Sequence, residues 1–108
     1  MKRFYLFCAA GMSTSLLASN MDKVAKENNI DIEVKAFPDA KLEEVVSSLN
    51  PDAILLGPQV RHIEDKVREK YGQDRPVMVI DTADYGNMNG ERVLKKAIIE
   101  YKNFKKNL

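Results

Sequence analysis

The only cysteine of the chain, Cys8, lies where a nucleophile can be activated. Residues 4–17 read FYLFCAAGMSTSLL, an apolar run that ends in the thiol and is followed by small and hydroxyl residues. This order predicts a buried strand, a tight loop and the first turn of a helix, with the thiol at the carboxyl end of the strand. The backbone N–H groups of such a loop and the dipole of the helix attract an anion and favour the thiolate. Cys8 is therefore the candidate catalytic nucleophile.

The residues after the cysteine form the candidate anion-binding loop: Ala9, Ala10, Gly11, Met12, Ser13, Thr14 and Ser15. Gly11 tolerates the positive φ that converging N–H groups require, and the three hydroxyl residues add donors. Met12 is expected on the surface, as a contact for a partner protein. A lone cysteine in an apolar strand is more often structural, and a hydroxyl at a helix start is often only a cap. The position of Cys8 at the strand end favours the reactive interpretation.

The predicted loop carries no positive charge, because residues 9–15 include neither lysine nor arginine. Low-molecular-weight tyrosine phosphatases also have a cysteine before a phosphate-binding loop, but they place an arginine six residues later, where this chain has Thr14. That arginine stabilises the charge of the phosphoryl group during transfer. Neutral donors alone can hold a phosphocysteine without driving its hydrolysis, which is the behaviour of a carrier.

Four strands, each followed by a helix, are predicted to position this loop. The strands are expected at residues 3–8, 31–37, 53–56 and 77–80, and the helices at 13–28, 40–49, 60–71 and 91–105. Strict alternation is typical of an α/β protein with a parallel sheet and helices on both faces. The first strand is wholly apolar and the second alternates, so the expected order is 2-1-3-4, as in flavodoxin-like folds. Asp39 is expected to cap the second helix.

The order 2-1-3-4 places the reversal of winding between strands 1 and 3. Ligands bind at such a point, beyond the carboxyl ends of the strands. The predicted crevice is therefore flanked by the Cys8 loop and by Gly57, Pro58 and Gln59, which follow strand 3. A purely structural role is also open for this second loop, in which Gly57 allows the turn and Pro58 starts the helix.

Asp81 and Tyr85 belong to the predicted loop at residues 81–90, one strand further along the sheet. Asp81 either lines the crevice or braces its own loop. The Tyr85 hydroxyl either reaches a phosphoryl group or belongs to a ring that packs half buried. Arg61 and His62 are near the same rim, and we expect them to be solvated surface residues.

The composition limits the remaining classes of function. A chain of 108 residues predicts one domain over residues 1–108, and a formal net charge of +1 does not favour binding to nucleic acid or anionic lipid. One cysteine and one histidine without an acidic cluster predict neither a disulfide nor a metal site, and no cofactor is required. With a free thiol, no recognisable signal peptide and no spanning segment, a cytoplasmic monomer without membrane insertion is expected.

Three segments together resemble the IIB components of the lactose/cellobiose class of the bacterial sugar phosphotransferase system, which includes those for N,N'-diacetylchitobiose. The segments are CAAGMSTSLL at residues 8–17, LLGPQ at 55–59, and VID at 79–81 with Tyr85-Gly86 after it. They follow one another in the family's order, over essentially the full length of the chain. The resemblance implies a flavodoxin-like fold similar to that of the low-molecular-weight tyrosine phosphatases.

The resemblance also implies a function. Cys8 would accept a phosphoryl group from a phosphohistidine of the IIA component and pass it to a sugar held by the membrane IIC permease. Cellobiose, chitobiose, lactose and other β-glucosides are all compatible with the sequence. Two other functions stay open. One is a small cysteine-dependent phosphatase or arsenate reductase, against which the missing arginine argues. The other is a thiol redox sensor, against which the lack of a second cysteine argues.

Overall fold

Four parallel β-strands form the sheet of the computed structural model, which describes residues 1–9 and 12–107 and, for Met12, the backbone only. The strands are β1 (Lys2–Cys8), β2 (Ile32–Pro38), β3 (Ala53–Leu56) and β4 (Val77–Val79), in the order β2-β1-β3-β4. The predicted strand order and the parallel pairing are confirmed. The predictions for Ala10, Gly11 and the Met12 side chain lie outside the described residues.

The helices lie on both faces of the sheet, as predicted. Those of the described residues are α1 (Met12–Glu27), α2 (Leu42–Leu49), α3 (Glu64–Tyr71), α4 (Thr82–Gly86) and α5 (Gly90–Lys106). Short 3₁₀ turns, Asp39–Lys41 and Pro58–Ile63, precede α2 and α3. α1 and α5 pack on one face of the sheet, and α2 and α3 pack on the other.

The central strand β1 holds the two halves of the hydrophobic core together. Its residues 4–8 are at most 2% exposed. Since successive side chains of a strand point to opposite faces, Phe4 and Leu6 pack with α1 and α5, whereas Tyr5 and Phe7 pack with α2 and α3. Each such side chain contributes about 1.5–3 kcal/mol by leaving water. A shift of one residue would exchange the two faces, so packing fixes the position of Cys8 at the carboxyl end.

The segment at residues 81–90, predicted to be a loop, contains the short helix α4. The Asp81 side chain caps this helix by accepting hydrogen bonds from the backbone N–H groups of Ala83 and Asp84. Two residues of α4, Asp84 and Tyr85, are buried. A helix of a single turn has no amphipathic period that a sequence pattern can reveal, so the prediction of a loop was wrong here.

Two helix starts also differ from the prediction. Asp39 does not cap α2, because it lies inside the preceding 3₁₀ turn, and the N-cap residue of α2 is Lys41, without a side-chain hydrogen bond. The third helix, expected from residue 60, begins at Glu64. Before it, Val60 has a non-helical φ of −116° within the 3₁₀ turn. This local bend keeps Val60 in the core while the neighbouring Gln59 stays at the sheet edge.

Gly90 is the point of close approach between α5 and α1. A Cβ atom there would lie 2.8 Å from backbone atoms of Asn20 and Met21. We expect Gly90→Ala to force the two helices apart and to lower the free energy of unfolding by about 1–3 kcal/mol, measured by urea denaturation.

Gly86→Ala is the matched control, because a Cβ atom at Gly86 would meet no other atom within 4 Å. Its free energy of unfolding should stay within about 0.5 kcal/mol of the wild-type value or rise above it. If both variants were as stable as the wild type, the close packing of α1 and α5 would be contradicted.

Candidate functional site

Cys8 is the last residue of β1, at the carboxyl edge of the sheet where the winding reverses between β1 and β3. Its side chain lies between the end of β2, where it is in register with Pro38, and the turn that follows β3. The residue is only 2% exposed. The thiol is therefore held by its surroundings rather than displayed on the surface, and it lies at the edge where parallel α/β sheets bind ligands.

The turn after β3 contacts the sulfur directly. The Cys8 thiol donates a hydrogen bond to Gln59 Oε1, with a distance of 3.1 Å between Sγ and the oxygen. The turn is tied to β1 because the Gly57 N–H donates to the Phe7 carbonyl at 2.9 Å. A Cβ atom at Gly57 would lie 2.8 Å from Cys8 Sγ and 3.0 Å from Gln59 Oε1. Glycine at residue 57 therefore makes room for the sulfur, and Pro58 shapes the turn as its first residue.

A buried pair of hydroxyl groups lies on the other side of the sulfur. Thr14, in the first turn of α1, and Tyr85, on α4, are joined by a hydrogen bond of 3.0 Å between Thr14 Oγ1 and Tyr85 Oη. Tyr85 Oη also lies 3.9 Å from Cys8 Sγ. Two hydroxyl groups carry two protons, and their mutual bond uses only one. The pair therefore has a second O–H proton, and Tyr85 Oη is close enough to the sulfur to direct that proton to an acceptor there.

Asp81 belongs to the cap of α4. Its Oδ1 accepts from the backbone N–H groups of Ala83 at 2.9 Å and of Asp84 at 3.2 Å. The Asp84 N–H is the larger reason why the pKa of the Asp81 carboxyl is lowered from its usual value, because both donors stabilise the ionised form. Of the two open interpretations, the bracing of its own loop accounts for the contacts of this side chain.

A cavity of about 130 Å³ opens beside the thiol. It is lined by the thiol, the first turn of α1 and the end of β2, through Cys8, Thr14, Ser15, Ala36, Phe37 and Pro38. None of these lining residues is charged. Ser15 is exposed, as are Ala9 and Ser13 of the same segment. Arg61 and His62 are on the surface, as expected for these two residues.

Two features of the site were not anticipated from the sequence. The wall formed by Phe37 and Pro38 follows from the pairing of β2 with β1, since the carboxyl ends of parallel neighbours meet at one edge; the predicted strand order was sufficient to find it. The buried carboxylate of Asp84, next to Tyr85, had no signal in the local pattern, because its partners come from α5. Within residues 1–9 and 12–107, no group of three or more metal-ligating side chains occurs.

The fold and the site define a flavodoxin-like α/β domain with a single thiol at the switch point of the sheet, surrounded by neutral hydrogen-bonding groups. The family model described as "PTS system, Lactose/Cellobiose specific IIB subunit" matches residues 3–96. The chain belongs to this family. It is thus a component of the sugar phosphotransferase system, whose IIB components work with IIA and IIC components in sugar uptake.

Several relatives agree with this assignment. The chain is 45% identical over 96 residues to the "PTS system galactose-specific EIIB component" of Lactococcus lactis subsp. cremoris (strain MG1363), covering 85% of this chain and 89% of that protein. It is 44% identical, with the same coverage, to the "PTS system cellobiose-specific EIIB component" of Lactococcus lactis subsp. lactis (strain IL1403). The solution structure of a cellobiose-specific phosphotransferase IIB component from Borrelia burgdorferi matches with a TM-score of 0.74 and 40% identity, covering 94% of this chain and 93% of that one.

The described helices include none that is both long and apolar enough to cross a membrane.

The bond between Thr14 and Tyr85 can be tested by a double-mutant cycle. Thr14→Val or Tyr85→Phe leaves one buried hydroxyl without its partner, so we expect each to lower the free energy of unfolding by about 1–3 kcal/mol in urea titrations. The double variant removes both polar groups and should cost less than the sum of the single changes. Full additivity would show that the two hydroxyl groups do not interact.

Proposed function

We propose that Cys8 carries a phosphoryl group, which it accepts from a phosphohistidine of a IIA component and delivers to a sugar held by a IIC permease. The single observation that carries this proposal is a buried thiol at the switch point whose described neighbours are all uncharged hydrogen-bonding or apolar groups. Membership of the IIB family supports it, since these components take part in sugar phosphotransfer. In this proposal residues 1–108 act as one domain, as a monomer on the cytoplasmic side of the membrane.

The first transfer exchanges a P–N bond for a P–S bond. The Cys8 sulfur attacks the phosphorus in line with the histidine nitrogen, and the S–P bond forms as the P–N bond breaks. The electron pair of the broken bond returns to the imidazole, which takes up a proton, and the thiol proton of Cys8 is released. In the second transfer a sugar hydroxyl oxygen attacks the phosphorus, the sulfur leaves as a thiolate, and the hydroxyl proton is released.

The surroundings of the sulfur suit the phosphorylated state. The oxygens of the phosphoryl group accept hydrogen bonds from the second O–H of the Thr14–Tyr85 pair and from N–H groups at the start of α1. The cavity of about 130 Å³ beside the thiol gives them room. A phosphorylated sulfur has no S–H, so the Gln59 amide, which accepts from the thiol in the free protein, turns to donate through its Nε2.

The lack of charge also explains why the group would be kept. In the cysteine-dependent phosphatases considered above, an arginine stabilises the developing charge and so promotes hydrolysis. Here the residue in that position is Thr14, and its hydroxyl is already bonded to Tyr85. A carrier is therefore favoured over a phosphatase or an arsenate reductase, and the family relationship favours it over a redox sensor. Relatives named for galactose and for cellobiose are almost equally similar, so the sugar stays undetermined.

The proposal is tested by following the intact mass of the protein. Incubation with phosphoenolpyruvate, the general phosphotransferase proteins and a cellobiose-type IIA should add one phosphoryl group to the wild type. We expect Cys8→Ser to remain unlabelled, because a serine hydroxyl at this site is a far weaker nucleophile than a thiolate. The phosphoryl group should persist for many minutes in the absence of a sugar acceptor.

A Cys8→Ser variant labelled as fast as the wild type would overturn the proposal. Rapid loss of the label with release of inorganic phosphate, or turnover of p-nitrophenyl phosphate, would favour the phosphatase instead.

The contribution of Gln59 is tested by Gln59→Glu. The carboxylate cannot donate a hydrogen bond, and it repels the phosphoryl oxygens. The equilibrium constant for phosphoryl transfer from phospho-IIA to Cys8 should therefore fall by roughly 10–100-fold. Gln73→Glu introduces the same charge at the other glutamine, whose amide contacts only the end of α3, and should leave the constant unchanged. Equal constants for Gln59→Glu and the wild type would exclude the proposed contact.

A further inference from the structure

Asp84 is a buried carboxylate that the transfer chemistry does not use. Its side chain is 7% exposed and accepts from two cations of α5, with 2.9 Å from Oδ1 to Arg92 Nε and 2.8 Å from Oδ2 to Lys96 Nζ. A buried charge is tolerated only when it is paired and hydrogen-bonded. The two ion pairs therefore fasten α4, the short helix that carries Asp84, to the long helix α5.

The next residue on α4 is Tyr85, whose hydroxyl meets Thr14 and lies 3.9 Å from the Cys8 sulfur. A helix of five residues is not stable by itself, because too few hydrogen bonds offset the cost of its nucleation. α4 therefore depends on contacts beyond its own backbone, which include the Asp81 cap at its N-terminus and the attachment of its central residue, Asp84, to α5. The attachment of Asp84 to α5 therefore contributes to the position of the Tyr85 hydroxyl, although no contact between Asp84 and the sulfur is among those described.

We propose that Asp84 is a positioning residue for phosphoryl transfer, which holds the Tyr85 hydroxyl against Thr14 and the Cys8 sulfur through its ion pairs with Arg92 and Lys96. This inference rests on the proposed function. It adds three residues to the site, Asp84 on α4 and Arg92 and Lys96 on α5, which lie outside the loops that follow β1 and β3. The ion pairs hold the Tyr85 O–H group in place. A displacement of such a group by about 1 Å reduces a transfer rate by up to 100-fold.

Asp84→Asn tests the proposal, because it keeps the volume of the side chain and weakens both ion pairs. The rate of phosphorylation at saturating phospho-IIA should fall about 10-fold, while the IIA concentration for half-maximal rate stays unchanged. Tyr85→Phe should cause a similar loss. The double variant should be no slower than Tyr85→Phe alone, because Asp84 acts only through that hydroxyl.

A spectroscopic measurement separates positioning from general stability. In Asp84→Asn the NMR signals of the Tyr85 ring should shift or broaden, whereas those of Tyr101, on the far part of α5, should not move. Asp22→Asn is the matched control, since Asp22 is a partly buried carboxylate paired with Lys26 and bonded to the Val34 N–H. This variant should lose stability in urea without loss of the transfer rate.

Lys96→Gln provides a second variant if Asp84→Asn does not fold, because Asp84 keeps its pairing with Arg92. Lys96→Gln should lower the phosphorylation rate less than Asp84→Asn does. When Lys96→Gln is added to Tyr85→Phe, the rate should not fall further. A loss that adds fully to that of Tyr85→Phe, or a folded Asp84→Asn with the wild-type rate, would overturn the positioning role. Labelling of Cys8→Ser as fast as the wild type would instead refute the proposed function, so the two failures are distinguishable.

Discussion

The burial of β1 on both faces is the constraint on which the rest of this structure depends. Its side chains are divided between two helical layers, and a shift of one residue would exchange the layer against which each side chain packs. The strand ends at Cys8, so the same packing that stabilises the core also sets the position of the sulfur along the sheet and the face of the sheet on which it lies. The flanking strands then bring their own carboxyl ends to this edge, with Pro38 on one side and the turn at Gly57 on the other.

Around the sulfur, the structure uses neutral groups where related chemistry uses a cation. An amide oxygen accepts from the thiol, two hydroxyl groups bond to each other, and a strand end supplies an apolar wall. When the sulfur changes from a thiol to a phosphorylated form, such groups can switch between donating and accepting by rotating a hydroxyl proton or an amide, which requires little free energy. A fixed guanidinium would instead favour the most highly charged species along the reaction. This distinction is the physical basis for the proposal that the site holds a phosphoryl group and passes it on.

The charged residues of the region lie one layer further out. Asp84, in the middle of α4, is paired with Arg92 and Lys96 of α5, and Asp81 caps the N-terminus of α4. These charged interactions therefore stabilise the position of α4 and do not act directly on the reacting atoms. α4 is also the element that the sequence pattern missed, because a single turn has no amphipathic period and part of its stability comes from residues of α5.

The sequence alone was sufficient for the strand order, for the place of Cys8 at the carboxyl edge, and for the family, because hydrophobic periodicity and short motifs are local properties of the chain. It could not decide between the two interpretations of Asp81 or of Tyr85. Those interpretations depend on the short helix at Thr82–Gly86, whose position is set in part by Thr14 on α1 and by Arg92 and Lys96 on α5. Only the tertiary structure brings these side chains together, since hydrogen bonds and ion pairs between distant segments leave no period in the sequence.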